Sequence, residues 1–213
     1  MNKALMLGVY LMELETMEVG LGIQFPKLFH SINQGGMMDY LIYTTEWDED
    51  RFMTGRENTG MEDFFGQAMG DCMLIAFENI QSAYDELYEC LNSDLDVYPE
   101  HQSINPKYRL VPFARKISGD QYCFLYEDGE DEPKVVLYGH DTGDVDLWAN
   151  SFEEFVYFQI VEEASDGEHE IYSDYIKAHI QWLNDEHQQL LAEVPIQDLW
   201  EQLPEPQEFN IWV

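Results

Sequence analysis

Apolar residues recur at helical spacing through Asn79–Leu91, where Ile80, Tyr84, Leu87 and Leu91 are interleaved with Asp85, Glu86 and Glu89. That three-to-four spacing places the apolar side chains on one face and predicts an amphipathic helix lying on a core. After a polar, Pro-containing loop the period changes. The runs YRLVPF, QYCFLY and KVVLY within residues 108–149 are β-branched and aromatic, and the stretches KISGD, EDGEDEP and GHDTGDV are rich in turn formers. Short strand-forming runs between such turns predict an antiparallel meander. Pro112 has no N–H to give a ladder and is expected at an edge or a bulge. Gly119 and Gly129 suit turns that need positive φ.

Helical spacing returns after the meander. In the segment Ala149 to Phe155, Ser151 and Glu154 have the spacing of a capping box, in which each side chain satisfies an orphan backbone N–H at a helix start. Phe152, Phe155, Val156 and Ile160 then fall on one face. Tyr172, Ile176, Ile180, Leu183, Leu190 and Val194 predict a second long helix over about Ser173–Ala192, closed by Pro195. Pro26 stops a preceding helix or starts a following one. Strands in one block with helices around them make an α+β domain.

Composition adds function classes that can be excluded. Of 213 residues, 45% are hydrophobic and 14% aromatic, far more buriable surface than a disordered acidic chain carries. Lys and Arg number 10 against 43 Asp and Glu, a formal net charge of −33. Such a field repels nucleic acid and anionic membrane alike, so neither is expected as a partner. The imbalance is uneven: 8 basic against 19 acidic residues through Lys116, and only Lys134 and Lys177 against 24 acids beyond it. Lys107, Arg109, Arg115 and Lys116 bracket one short segment and are expected to serve neighbouring carboxylates. Cys72, Cys90 and Cys123 form no CxxC pair and are expected to be buried free thiols. The apolar stretch Ala4–Leu14 is too short for a membrane span and lacks a cleavage site, so a cytoplasmic protein is expected.

Several segments also resemble one family. Arg109 to Ala114 (RLVPFA) is similar to a strand entering with "hPFA", and Gly119 to Phe124 (GDQYCF) to a Gly-Asp step into the next strand. Val135 to His140 (VVLYGH) is similar to a "VhxYxH" strand, and Ala149 to Phe155 (ANSFEEF) to an "AxSFxEF" helix start. Upstream, Leu21 to Pro26 (LGIQFP) and Asn33 to Gly36 (NQGG) resemble an "LGxxhP…NGG" opening, with a Gln splitting the Asn-Gly pair. In this order and over roughly Leu21–Ile160 they resemble the SUKH superfamily, named after yeast cell-wall-synthesis regulators and represented in bacteria mainly by immunity proteins of polymorphic toxin systems. The stretch Trp47–Asp71 departs from the pattern in being long and acidic. The resemblance implies a SUKH-like α+β domain over 1–165, mainly an antiparallel central sheet flanked by helices. Residues 166–213 would be a C-terminal helical extension and tail packed on the same domain. It also implies a binding scaffold without a catalytic set, with specificity on loops and exposed faces.

Candidate chemistry is correspondingly sparse. Asp128, Glu130, Asp131 and Glu132 fill one loop of the meander and Asp141, Asp144 and Asp146 another, so together they are expected to present a negative patch to a basic partner, with Trp148 beside them. Neither loop has the spacing or the closing bidentate Glu of an EF-hand, so no metal site is assigned. With 43 acids a glycosidase-like pair is an empty signal. The six histidines form no HExxH, and no GxSxG or phosphate-binding loop occurs; His179 and His187 are expected to flank a helix face. No catalytic residue and no cofactor is assigned. Trp148, Trp182, Trp200 and Trp212 are large for a surface; Phe209–Val213 is expected to fold back as a strand or anchor, the alternative being a partner's docking site with an aromatic anchor among Glu201, Glu205 and Glu208. The leading expectation is an immunity protein occluding a cognate basic toxin domain, such as a nuclease. A regulatory scaffold, an acidic DNA mimic and a carboxylate-dependent hydrolase are the alternatives.

Overall fold

The computed structural model describes residues 14–34, 72–75, 77–97, 103–116, 118–130, 132–166 and 180–213. Residues 14–21 are helical. The further elements are α1 (Lys27–Gln34), β1 (Met73–Leu74), α2 (Phe77–Val97), β2 (Tyr108–Arg115), β3 (Gln121–Glu127), β4 (Lys134–Tyr138), β5 (Val145–Ala149), α3 (Phe152–Asp166), a 3-10 turn (Ile180–Trp182), α4 (Asp185–Glu193), α5 (Ile196–Trp200) and β6 (Gln207–Glu208). The strands form a single antiparallel sheet in the order β1-β2-β3-β4-β5-β6. The protein is thus an α+β fold with an antiparallel sheet, flanking helices and additional C-terminal helices.

The sheet centre is covered on both faces, which explains why QYCFL in β3 is buried at every position and does not alternate with polar residues. One face carries Val111, Phe113, Tyr122, Phe124 and Val135 against Phe25 and Phe29 before and within α1 and Phe152 and Phe155 of α3. The other carries Leu110, Cys123, Leu125, Val136 and Tyr138 against Leu87 and Leu91 of α2 and Ile211 of the tail. Phe29 is the hub of the first cluster, with ring centroids 5.2 Å from Phe25, 5.2 Å from Phe124 and 5.5 Å from Phe152. The last two contacts are edge-on, the geometry that aromatic quadrupoles favour.

Most local expectations are met. Pro112 sits beside a register shift of the β2–β3 ladder. Two residues earlier, the N–H of Leu110 donates to the Tyr88 hydroxyl on α2, away from β3. Alternation along the strand turns the Pro112 nitrogen to that same side, where no ladder bond is lost. Ser151 Oγ accepts from the Glu154 N–H at 3.1 Å. Glu154 reaches back one residue further than the usual box and accepts from the Asn150 N–H at 2.6 Å. α2 runs on to Val97 because no Gly or Pro interrupts it before Pro99.

Three expectations are corrected. The single helix over Ser173–Ala192 is not formed: residues 173–179 lie outside the described residues, and from Ile180 a 3-10 turn, Leu183 and Asn184 precede α4. Asn184 stops the earlier turn by capping a new helix, its side chain accepting from the His187 N–H. Cys72 and Cys123 are buried, but Cys90 is exposed, since it lies off the α2 stripe marked by Leu87 and Leu91. Burial pushes the Cys123 thiol well above its ordinary value. Finally, the meander has a fourth strand, β5, in a stretch whose acids read as turn.

The chain end lies along the sheet. Phe209 N–H donates to Val145 O at 2.7 Å, Asn105 N–H to Ile211 O at 2.8 Å and Val213 N–H to Ser103 O at 2.9 Å. Ile211 is fully buried. α4 is tied to α3 through Glu153, whose carboxylate accepts from the Asn184 N–H and Nδ2 at 2.9 Å each and lies 2.9 Å from His187 Nδ1. The His187 ring stacks on Tyr157 with centroids 4.0 Å apart and planes 2° from parallel.

Candidate functional site

Consecutive hairpins place consecutive turns at opposite ends of a meander. The β3–β4 loop, with Asp128, Glu130 and Glu132 all exposed, therefore lies at one end, and the β4–β5 loop, with Asp141 and Asp144 exposed, at the other. Asp131 lies outside the described residues. The length of β4 separates the loops by roughly 16 Å at about 3.3 Å per residue. The acids expected in one patch are split between two ends.

At the β3–β4 end two of the acids are answered locally, while Asp128 and Glu132 take part in no ion pair among the described residues. Glu127 lies 2.9 Å from Lys107 Nζ and 3.4 Å from Lys134 Nζ, and Glu130 lies 3.6 Å from Lys134 Nζ. The Lys107 hydrogen bond is the main cause holding the Glu127 carboxyl below its ordinary value, with Lys134 assisting against a smaller opposing desolvation. An open cleft of about 310 Å³ lies here between Gly22–Gln24, Lys107–Arg109 and Tyr126–Glu130. Arg109 donates to the carbonyls of Leu21 and Gly22, and the Tyr126 hydroxyl to Gln24 O at 3.0 Å. These bonds fasten the N-terminal segment to the meander.

At the other end the β2–β3 and β4–β5 turns meet. Asp120 Oδ1 lies 3.1 Å from both the backbone N and Nδ1 of His140, and Oδ2 accepts from Ser118 Oγ at 2.8 Å. Partial burial opposes ionisation of Asp120, but the bonds from His140 and Ser118 outweigh it and lower the carboxyl below its ordinary value. Gly119 passes beneath the imidazole with φ 101°, and a Cβ there would stand 3.0 Å from the ring. Trp148, half-buried on β5, is T-shaped against Tyr122 at 5.5 Å, and Lys116 Nζ lies 5.2 Å over its ring. Arg115 pairs with Glu86 of α2 at 2.7 Å. Each member of the basic cluster thus has a partner within the fold.

Asp146, the remaining expected contact, is half-buried on β5. Its Cα partner in the ladder is Glu208 of β6, an acid just before the Phe209–Val213 tail. Trp200, at 47% exposure, is the most exposed aromatic among the described residues. Among the described residues, no group of three His, Cys, Asp or Glu is placed to hold a metal ion, and no helix is long and apolar enough to cross a membrane.

Fold and turns together define a meander-centred α+β domain in which the Gly-Asp step of one turn clasps the Tyr-Gly-His end of another strand. Those segments are the ones whose order resembled SUKH proteins. The chain belongs to the SMI1/KNR4 family (SUKH-1), whose model matches residues 13–157. It is also similar to the SPbeta prophage-derived uncharacterized protein YokK of Bacillus subtilis (strain 168), 23% identical over 164 residues that cover 74% of this chain and 78% of that protein. No solved structure matches the chain.

Proposed function

We propose that this protein is an immunity protein that binds a cognate toxin domain in the cytoplasm and neutralises it by occlusion, without catalysis. The observation that carries the reading is a formal charge of −33 on a SUKH-1 scaffold. That charge exceeds several-fold the roughly 2–8 that solubility asks of a small domain. A toxin whose active surface is basic, as a nuclease's must be to hold phosphate, is the complement: the field steers encounter, and contact covers the groove. Toxin–immunity pairs are among the tightest complexes known.

The test is co-purification of the tagged chain from its native cell at low and at high salt, followed by expression of the recovered partner domain with and without it. A stoichiometric basic domain retained through both washes, toxic alone and harmless in combination, supports the reading. A salt-labile spread of unrelated basic proteins would favour a general polyanion, and a non-toxic stable partner a regulatory scaffold.

A further inference from the structure

Surface carboxylates on this protein differ in what answers them. Glu127 and Glu130 have Lys107 and Lys134, Glu86 has Arg115, and Asp120 and Asp141 flank His140. At the β5–β6 edge no cation arrives: Asp144, Asp146 and Glu208 take part in no ion pair among the described residues. Asp146 and Glu208 are moreover Cα partners in the ladder, so both carboxylates stand on one face of adjacent strands. Like charges directly opposite destabilise a sheet. The ladder does not need them, since its backbone bonds would form with Asn and Gln in the same places.

The same edge is open and shaped. Among the described residues β6 is the outermost strand of the sheet, and it is only two residues long. A cleft of about 280 Å³ opens beside it, its apolar wall made by Val145, Phe209 and Trp212 and its acidic rim by Asp144 and Glu208. Phe209 is held in place by an edge-on contact with Tyr108 at 5.4 Å.

We propose that the β5–β6 edge is the docking surface for an extended, Arg- or Lys-bearing segment of a basic protein partner. Such a segment adds to the outer edge of β6, seats an apolar side chain in the cleft and brings its cations to Asp144, Asp146 and Glu208. Charge selects this occupant: a second copy of the chain, a nucleic acid or an anionic lipid would each add negative charge to carboxylates that already repel one another. The inference rests on the proposed binding of a basic toxin domain and names the face that performs it.

The probe is the synthetic peptide Arg-Val-Arg-Thr-Arg-Val-Arg-Thr, titrated at low salt into the labelled full chain and followed by amide chemical shifts, with a Glu-for-Arg peptide as control. Shift changes should concentrate on Asp144–Ala149 and 207–213, and the control should not bind. The variant D144N/D146N/E208Q should bind roughly tenfold more weakly or worse, the sum for three surface charge pairs, while D128N/E130Q/E132Q should change affinity by less than about twofold. Its Tm should be no lower than that of the parent, which separates lost contacts from lost folding. Equal losses in the two variants, or shifts centred on the β3–β4 end, would overturn the proposal. The recovered toxin domain separates the two levels: a parent chain that fails to neutralise it removes the immunity reading. Neutralisation by parent and D144N/D146N/E208Q alike overturns the docking face alone.

Discussion

The Asp120 carboxylate and His140 lie 20 residues apart in sequence and close the same end of the meander, Oδ1 standing 3.1 Å from both the backbone N and Nδ1 of the histidine. One carboxylate also takes the Ser118 hydroxyl, so a single side chain orders the β2–β3 turn and the entry to the β4–β5 turn. Replacing it strands three donors near the surface. Asp120→Ala is expected to cost about 1–2 kcal/mol, read as a lower urea midpoint at unchanged slope. A change below about 0.3 kcal/mol would mean that water substitutes fully for the carboxylate.

Gly119 answers to two constraints at once. Its φ of 101° disfavours any Cβ, and that Cβ would also press on the His140 ring at 3.0 Å. Gly119→Ala should therefore cost more in the parent than in a His140→Ala background, where only the backbone strain remains. A double-mutant cycle over the four proteins measures the difference, expected at about 0.5–1 kcal/mol. Additive effects would show that the ring moves aside freely.

The lowered Asp120 carboxyl fixes the sign of a pH effect. A group depressed in the folded state stabilises above its unfolded value of about 3.9 and loses that stabilisation as pH falls through the folded one. The stability gap between the parent and Asp120→Asn should accordingly be widest near neutral pH and shrink below about pH 4, where the parent's carboxyl protonates and resembles the amide. Urea titrations of both proteins at pH 7 and pH 3 provide the comparison, all other carboxylates being common to the pair. A gap that widens on acidification would contradict the assignment.

Glu153 holds α4 by accepting the Asn184 N–H and Nδ2 and the His187 ring. Glu153→Ala should loosen the segment Leu183–Leu203 more than the meander, because α3 keeps its own buried residues Phe152, Phe155 and Val156. Amide exchange over that segment should quicken by about tenfold, corresponding to roughly 1.4 kcal/mol of lost local stability, with β3 and β4 unchanged. Uniform quickening across the protein would instead make α4 part of one cooperative unit with the sheet.

The same contacts show where sequence reading reaches and where it stops. β2, β3 and β4 are legible because strand formers run unbroken between Gly- and Asp-rich turns, and the Ser151–Glu154 cap because its signal is local. β5 is hidden because Asp146 interrupts a short apolar run that directly follows the Asp- and Gly-rich turn, although Val145 and Ala149 are buried. The false long helix arises because Ile180, Leu183, Leu190 and Val194 keep helical spacing across a break whose own signal, Asn184 followed by Asp185 and Glu186, is a helix start. β6 has no strand propensity at all, Gln207 and Glu208 being recruited by the exposed edge of β5. The acidic loops were legible as loops, but their separation follows only from hairpin alternation, and the Asp146–Glu208 pairing only from the path of the tail.

Charge at this density should also govern stability itself. Ten cations cannot offset 43 carboxylates, and several are already committed, Lys107 and Lys134 to Glu127 and Arg115 to Glu86. Salt acts on both terms: it weakens those few exposed pairs, each contributing about 0–1 kcal/mol, and it screens the repulsion summed over the remaining carboxylates. Because the Debye length falls to about 10 Å at 0.1 M salt, repulsion between distant carboxylates is screened while contacts near 3 Å survive in part. Repulsion should therefore dominate, and Tm should rise by roughly 3 °C or more between 10 mM and 300 mM sodium chloride, equivalent to about 1 kcal/mol for a chain of this length. Sucrose at matched osmolality controls for general solvent exclusion, and D144N/D146N/E208Q should show a smaller rise than the parent because its repulsive edge is already relieved. A Tm that falls with salt would show that the local ion pairs, and not the net charge, set the electrostatic balance of the fold.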